Sequence, residues 1–202
     1  MKRLLTTLVI LTGLIGSGGA AWADAVSDFR KGFNAHKAGH HAEAVKWYRK
    51  SAEQGDAYGQ FTLGWMHQNG KGVTQDYSEA VKWFRKAAEQ GNSTGQFLLG
   101  GMYTQGKGVS QDYSEAVKWY RKAAEQGNAD AQGHLGASYT LGEGVLQDTI
   151  TAHMWFNIAA ANGGKNAVKG RDIVAKKLSS SDIVKAQQMA KRCMASGYKD
   201  CD

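Results

Sequence analysis

Proline is absent from all 202 residues, cysteine occurs only twice, and no apolar stretch reaches the ~20 residues a membrane-spanning helix needs. Each absence removes a class of reading. Two cysteines, Cys193 and Cys201, leave room for one bridge. Eight apart at the C-terminal end, such a pair forms a disulfide in an oxidising compartment, whereas a metal site would need further ligands nearby. The formal charge of +7 is spread over stretches that also hold Asp and Glu. No basic run interleaved with aromatics suggests nucleic-acid binding. A glycine-rich chain without proline could be a flexible low-complexity segment. Here the 26 glycines fall at fixed intervals between amphipathic stretches, which makes them punctuation between helices.

The first 23 residues stand apart. Lys2 and Arg3 precede an apolar stretch from Leu4 to Ile15, and small residues lead to Ala21-Trp22-Ala23. This is the layout of a secretory leader with cleavage expected after Ala23. The alternative is a retained anchor, for which the apolar stretch is short. No cysteine sits at the cleavage point to mark a lipoprotein. Losing Lys2 and Arg3 leaves a mature charge of about +5.

The dominant feature is self-similarity. Trp47, Trp83, Trp119 and Trp155 are spaced by 36 residues, and 20 of 22 positions are identical between 70–91 and 106–127. A fixed period in this range marks stacked repeats. Each period reads as two helices. In 57–92 the first spans about 57–69, capped by Asp56. The loop Gly70-Lys71-Gly72-Val73 follows, its glycines suited to left-handed backbone. Asp76 then caps the second helix, with Glu79 completing a capping box. Gly91 stops that helix. Leu63-Gly64, Leu99-Gly100 and Leu135-Gly136 face the partner helix, with glycine expected where two backbones approach. Trp83 is expected to fill the space between successive units. In 129–164 Met154 and Ile158 replace lysines, so this second helix needs an extra cover. Two closing helices, 166–178 and 181–196, can supply it.

The run Leu99-Gly100-Gly101-Met102-Tyr103, Gly106-Lys107-Gly108-Val109, Gln111-Asp112-Tyr113, Ala116, Trp119-Tyr120 and Ala123-Ala124-Glu125-Gln126-Gly127 closely resembles the Sel-one-like repeat, a relative of the tetratricopeptide repeat. The resemblance implies an all-α, right-handed α-solenoid of stacked antiparallel helix hairpins with C-terminal capping helices. The expected organisation is a leader over 1–23, an N-terminal capping hairpin over 24–56, repeats over 57–92, 93–128 and 129–164, and a closing segment over 165–202. The stretch from Ala152 to Gly163, with Arg171 to Val174 and the two cysteines, resembles the C-terminal cap of exported bacterial members. One departure is small: Thr74, Ser110 and Leu146 stand where the family often has proline.

Catalytic and metal chemistry finds little support. His36, His40 and His41 share the first hairpin turn without a carboxylate or cysteine at ligand spacing. His67 occupies the slot of Tyr103 and Tyr139, and His134 and His153 are isolated on helices. No Gly-x-Ser-x-Gly elbow exists. One Ser-x-x-Lys, Ser196 to Lys199, lies between the cysteines. The Gly-x-Gly loops lack the third glycine and preceding strand of a dinucleotide site. No cofactor and no metal are expected.

What remains is surface. Tyr58, Thr62, Trp65 and Asn69 form one stripe on a first helix. The equivalents are Thr94, Leu98, Gly101 and Gln105, then Asp130, His134, Ala137 and Leu141. These letters vary while the scaffold repeats, as a groove on the concave side would require. Tyr58, Thr62, Trp65, Asn69, Leu98, Gln105 and His134 are therefore candidate partner contacts, with Trp65 open to a second reading as core. The expected function is a non-enzymatic protein-interaction scaffold, periplasmic or secreted, binding a peptide or protein, with no nucleic acid and no stable membrane insertion after leader removal. The alternatives are an enzyme acting on a cell-wall or β-lactam ligand and a purely structural subunit of an oligomer.

Overall fold

The computed structural model describes residues 15–201. Among them are ten α-helices and no strand. They are α1 (Ile15–Lys37), α2 (His41–Glu53), α3 (Ala57–Asn69), α4 (Tyr77–Glu89), α5 (Ser93–Gln105), α6 (Tyr113–Ala124), α7 (Ala129–Leu141), α8 (Thr149–Ala161), α9 (Ala167–Ala175) and α10 (Ser180–Ala195). The charged start and most of the apolar stretch of the expected leader, residues 1–14, lie outside the described residues. From Ile15 onward α1 runs without a break through Ala23, the expected cleavage point. The described residues form two compact units, one ending at Trp83 and the other beginning at Phe84.

In the first unit α1 packs on α2 and α2 on α3. Its core joins Ala44, Tyr48, Leu63, Met66 and Trp83, and Phe29, Trp65 and Val73 close over it. Trp83, expected to fill space between units, belongs to this core at 3% exposure. Gly72 combines two constraints. Its φ of 72° is left-handed, and a Cβ there would overlap the His41 carbonyl at the start of α2. Only glycine satisfies both.

In the second unit α5 pairs with α6, α6 with α7, and α7 with α8. Leu99 and Leu135 are fully buried. The glycine that follows each leucine was expected to let two backbones approach. What it chiefly admits is a ring. A Cβ on Gly100 would stand 2.7 Å from the Tyr120 ring, and one on Gly136 would stand 2.9 Å from the Phe156 ring. In the first unit Gly32 plays the same part for Tyr48, at 2.8 Å. The drift of α8 is met as expected: Met154, Trp155 and Ile158 are fully buried, with α9 and α10 packed on α8.

The expected capping box of α4 does not form. Asp76 Oδ1 accepts from the N–H groups of Ser78 and Glu79, but the Asp76 N–H donates to His67 O at 3.0 Å across the loop. With that donor taken, the Glu79 carboxylate accepts from Lys82 Nζ and Trp83 Nε1 instead. Asp112 and Asp148 donate in the same way to Tyr103 O and Tyr139 O. A complete capping box occurs at α10, between Ser179 and Asp182.

Candidate peptide-binding surface

The first helices carry two kinds of residue. One kind repeats and is committed to the scaffold. Gln60, Gln96 and Gln132 are buried, and each Nε2 donates to the carbonyl near the end of the preceding helix, on Ala52, Ala88 and Ala124 at 3.0–3.1 Å. Each of these carbonyls also accepts from the backbone N–H of Gly55, Gly91 or Gly127, so the glutamine supplies a second donor that ties the next first helix to the end of the one before. The sequence reading missed them because a glutamine in a helix looks like a solvated residue.

The other kind varies and stays near solvent. In the first unit Tyr58 is 66% exposed, its ring 6.4 Å from Phe29. Asn69 is exposed and donates from Nδ2 to Trp65 O at 2.8 Å. Thr62 is half-buried. Trp65 is half-buried as well, packed against the core and edge-on to His36 at 6.1 Å. The second reading of Trp65, as core, therefore has a contact behind it. In the second unit Gln105 and Leu141 are exposed and Leu98 is half-buried.

His134 sits in a richer setting. Its ring stacks on Tyr120, centroids 4.9 Å apart, and lies 5.4 Å from Phe97. Desolvation by this packing holds its pKa below the ordinary imidazole value, against the opposing pull of Asp130. One edge of His134 reaches a cleft of about 590 Å³ between α7 and α9. Phe156 forms its floor, Gly133 and Ala137 one wall, Gly170 and Ile173 the other, with Lys165 and Lys169 at the rim. His134 is exposed, as the sequence suggested, but nothing in the sequence announced this cleft.

The residues weighed for chemistry have other occupations. Ser196 Oγ donates to Cys193 O and accepts from the N–H groups of Lys199 and Asp200, so it organises the terminal turn. Cys193 and Cys201 are bonded to each other. His67 Nε2 lies 3.4 Å from Arg49 Nη2. Among the described residues no three His, Cys, Asp or Glu side chains gather as metal ligands, and no helix is long and apolar enough to cross a membrane.

The Sel1 repeat model matches residues 41–56, 57–92, 93–128 and 129–164. The chain belongs to the Sel1 repeat family. Sel1 repeat proteins are α-solenoids of helical hairpins and generally serve as protein-interaction scaffolds. Among solved structures, a Sel1 repeat protein from Oxalobacter formigenes is 36% identical, with a TM-score of 0.67 over 73% of this chain and 60% of that one. The protective antigen c5321 of uropathogenic Escherichia coli, which displays the SLR fold, is 31% identical, with a TM-score of 0.60 over 89% of this chain and 48% of that one. The chain thus spans 60% or less of either relative's length. Cysteine-rich protein B of Helicobacter pylori is 26% identical, with a TM-score of 0.51 over 63% of this chain and 91% of that one. No curated protein matches the chain.

Proposed function

We propose that this Sel1 repeat protein is a non-enzymatic scaffold of the bacterial envelope that binds a peptide or protein on the varying faces of its first helices. The observation that carries this reading is the division of labour within those helices. Gln96 and Leu99 are buried and repeat as Gln132 and Leu135, while Gln105 is replaced by Leu141, both exposed. A scaffold that keeps its supports constant and varies its solvent-facing letters is built to discriminate partners. The Cys193–Cys201 bond and the likeness to an H. pylori cysteine-rich protein support a place outside the cytoplasm.

Photo-crosslinking in living cells tests it. A crosslinking side chain at Tyr58, Gln105 or Leu141 should give discrete adducts, and one at Lys46, Lys118 or Lys122 on second helices should not. Adducts from the second helices alone would overturn the assignment of the face. Exposure to a labelled penicillin addresses the enzymatic alternative, and no covalent product is expected.

A further inference from the structure

The cleft beside His134 has a cause that the 36-residue period makes visible. In the second unit the Tyr120 ring meets two side chains that also touch each other, Phe97 from α5 at 5.9 Å and His134 from α7 at 4.9 Å, with 5.4 Å between Phe97 and His134. Adding one period to all three positions gives Gly133, Phe156 and Gly170. Helix α9 thus takes the place that a further first helix would occupy. A Cβ on Gly170 would stand 2.6 Å from the Phe156 ring, so α9 is drawn in tightly against it. At the position of Phe97 a Cβ on Gly133 would meet nothing within 4 Å. The side chain that covers the ring in the previous repeat is absent here, and Phe156, 9% exposed, keeps its remaining accessible surface on the cleft. The first unit shows the covered arrangement again, with Phe29 5.4 Å from Tyr48.

The surroundings define what would fill the vacancy. The floor is an aromatic ring, and aromatic partners stack or meet edge to face at about 4.5–7 Å. Ile173 stands at the mouth 50% exposed. The rim carries Lys165 and Lys169, neither with a carboxylate partner among the described residues, against one acidic lining residue, Asp130. The volume of about 590 Å³ lies in the range of ligand sites, roughly 300–1,000 Å³.

We propose that the cleft between α7 and α9 receives an aromatic side chain of an acidic peptide segment, the ring taking the place over Phe156 that Phe97 holds over Tyr120 and the acidic neighbours meeting Lys165 and Lys169. This deepens the scaffold reading and rests on it for the partner's being a peptide. Gly133 is then a specificity position. It is the residue whose side chain decides whether the repeat closes on itself or accepts a ring from outside.

The test uses the full mature chain and a fluorescent peptide, Asp-Glu-Trp-Glu-Asp, with two controls. One replaces the tryptophan by alanine and the other replaces the acids by lysine. Anisotropy should show saturable binding of the acidic tryptophan peptide in the micromolar to millimolar range. Either control should bind about tenfold weaker or worse. Gly133→Phe, which rebuilds the cover seen in the previous repeat, should abolish binding, with the helical circular dichroism and melting temperature showing that the fold is kept. Lys165→Glu with Lys169→Glu should weaken binding about tenfold and flatten its salt dependence. Binding that Gly133→Phe leaves unchanged, equal binding of the basic peptide, or no binding at millimolar concentration would each overturn the proposal. So would self-association that Gly133→Phe abolishes, since the occupant would then be a second copy. If the cleft fails while first-helix crosslinks persist, the scaffold reading stands without it. If crosslinks fail while the peptide binds the cleft, the broader face assignment falls alone.

Discussion

The Arg85 guanidinium donates a 2.6 Å hydrogen bond to the Tyr103 hydroxyl, and Arg121 makes the same bond to Tyr139 at 2.8 Å. Each pair, eighteen residues apart, ties a second helix to the next first helix. In the first unit the pair becomes Arg49 and His67, at 3.4 Å. An arginine can only donate, so His67 Nε2 must accept and the ring proton sits on Nδ1. That Nδ1 is buried without a partner.

His67→Tyr should therefore stabilise the protein. The substitution replaces a buried, unpaired N–H and a long contact with the phenol geometry of the other two repeats. The expected gain is about 1 kcal/mol, from removing one unsatisfied donor. Thermal unfolding should rise by roughly 2–4 °C. An unchanged or lower midpoint would show that the phenol does not reach Arg49.

The same histidine gives the protein a pH dependence of known sign. Burial, followed by the charge of Arg49, lowers the His67 pKa below 6.5, with Glu79 and Asp76 opposing and Lys82 assisting. Desolvation by the Tyr120 and Phe97 rings lowers His134, and burial lowers His153. For such groups the unfolded chain binds protons first, so stability falls as pH drops from 6.5 toward each folded-state pKa. Urea midpoints should decline between about pH 7 and about pH 5, and His67→Tyr should show a shallower decline. A flat profile in the wild type would contradict the burial of His67 and His153.

Much of the fold was legible in the sequence because the repeat writes the same letters at each hairpin. The helix pairs, the loop glycines and the terminal bridge all follow from local chemistry. The capping box at Asp76 was misread for a reason outside that locality. The Asp76 N–H is claimed by His67 O from the previous helix, and no periodicity in a single helix announces this. The cleft was hidden more deeply. It is made by what Gly133 and Gly170 omit, and by a ninth helix that keeps the 36-residue register after its letters have changed.

Two glycines on α7 should respond oppositely to the same substitution. A Cβ on Gly133 meets open space, so Gly133→Ala should gain about 0.5–1 kcal/mol from helix propensity alone. A Cβ on Gly136 would press on the Phe156 ring at 2.9 Å, and Gly170 lies as close to the same ring. Gly136→Ala should cost about 1–3 kcal/mol from overpacking, partly offset by the same propensity term. Chemical denaturation of both variants checks the contrast, and equal shifts would refute the ring contact.

Asp28 occupies, in the N-terminal hairpin, the place that Gln60, Gln96 and Gln132 hold in the repeats. Its carboxylate accepts from Lys31 at 2.9 Å, Lys50 at 3.0 Å and Gln54 at 2.9 Å. The Lys31 hydrogen bond, outweighing desolvation, brings its pKa to about 2 from 3.8. A depressed carboxylate contributes stability that is full above 3.8 and is lost as pH falls through about 2. The covering lysines are themselves about half exposed, so solvent screens the cluster and the contribution is about 1 kcal/mol. Asp28→Asn should lower the midpoint by that amount at neutral pH, and the two proteins should converge in strong acid. A difference that persists there would assign the effect to packing.

The Cys193–Cys201 bond reaches further than its eight-residue separation suggests. Between the cysteines Tyr198 adopts a left-handed φ of 66°, and Asn162 Nδ2 donates to its hydroxyl at 2.9 Å. The same Asn162 amide donates to Gln132 Oε1 at 2.9 Å, and Gln132 in turn donates to Ala124 O. The bridge therefore holds the outer end of a polar chain that runs into the buried ends of α6 and α7. Reduction should cost about 2.5 kcal/mol by the loop-entropy estimate. Hydrogen exchange should speed up first at the end of α10 and then around Gln132. Tyr198→Phe, with the bridge intact, should reproduce only the change around Gln132. If reduction leaves that region protected, the tail is an ornament on a cap that is already closed.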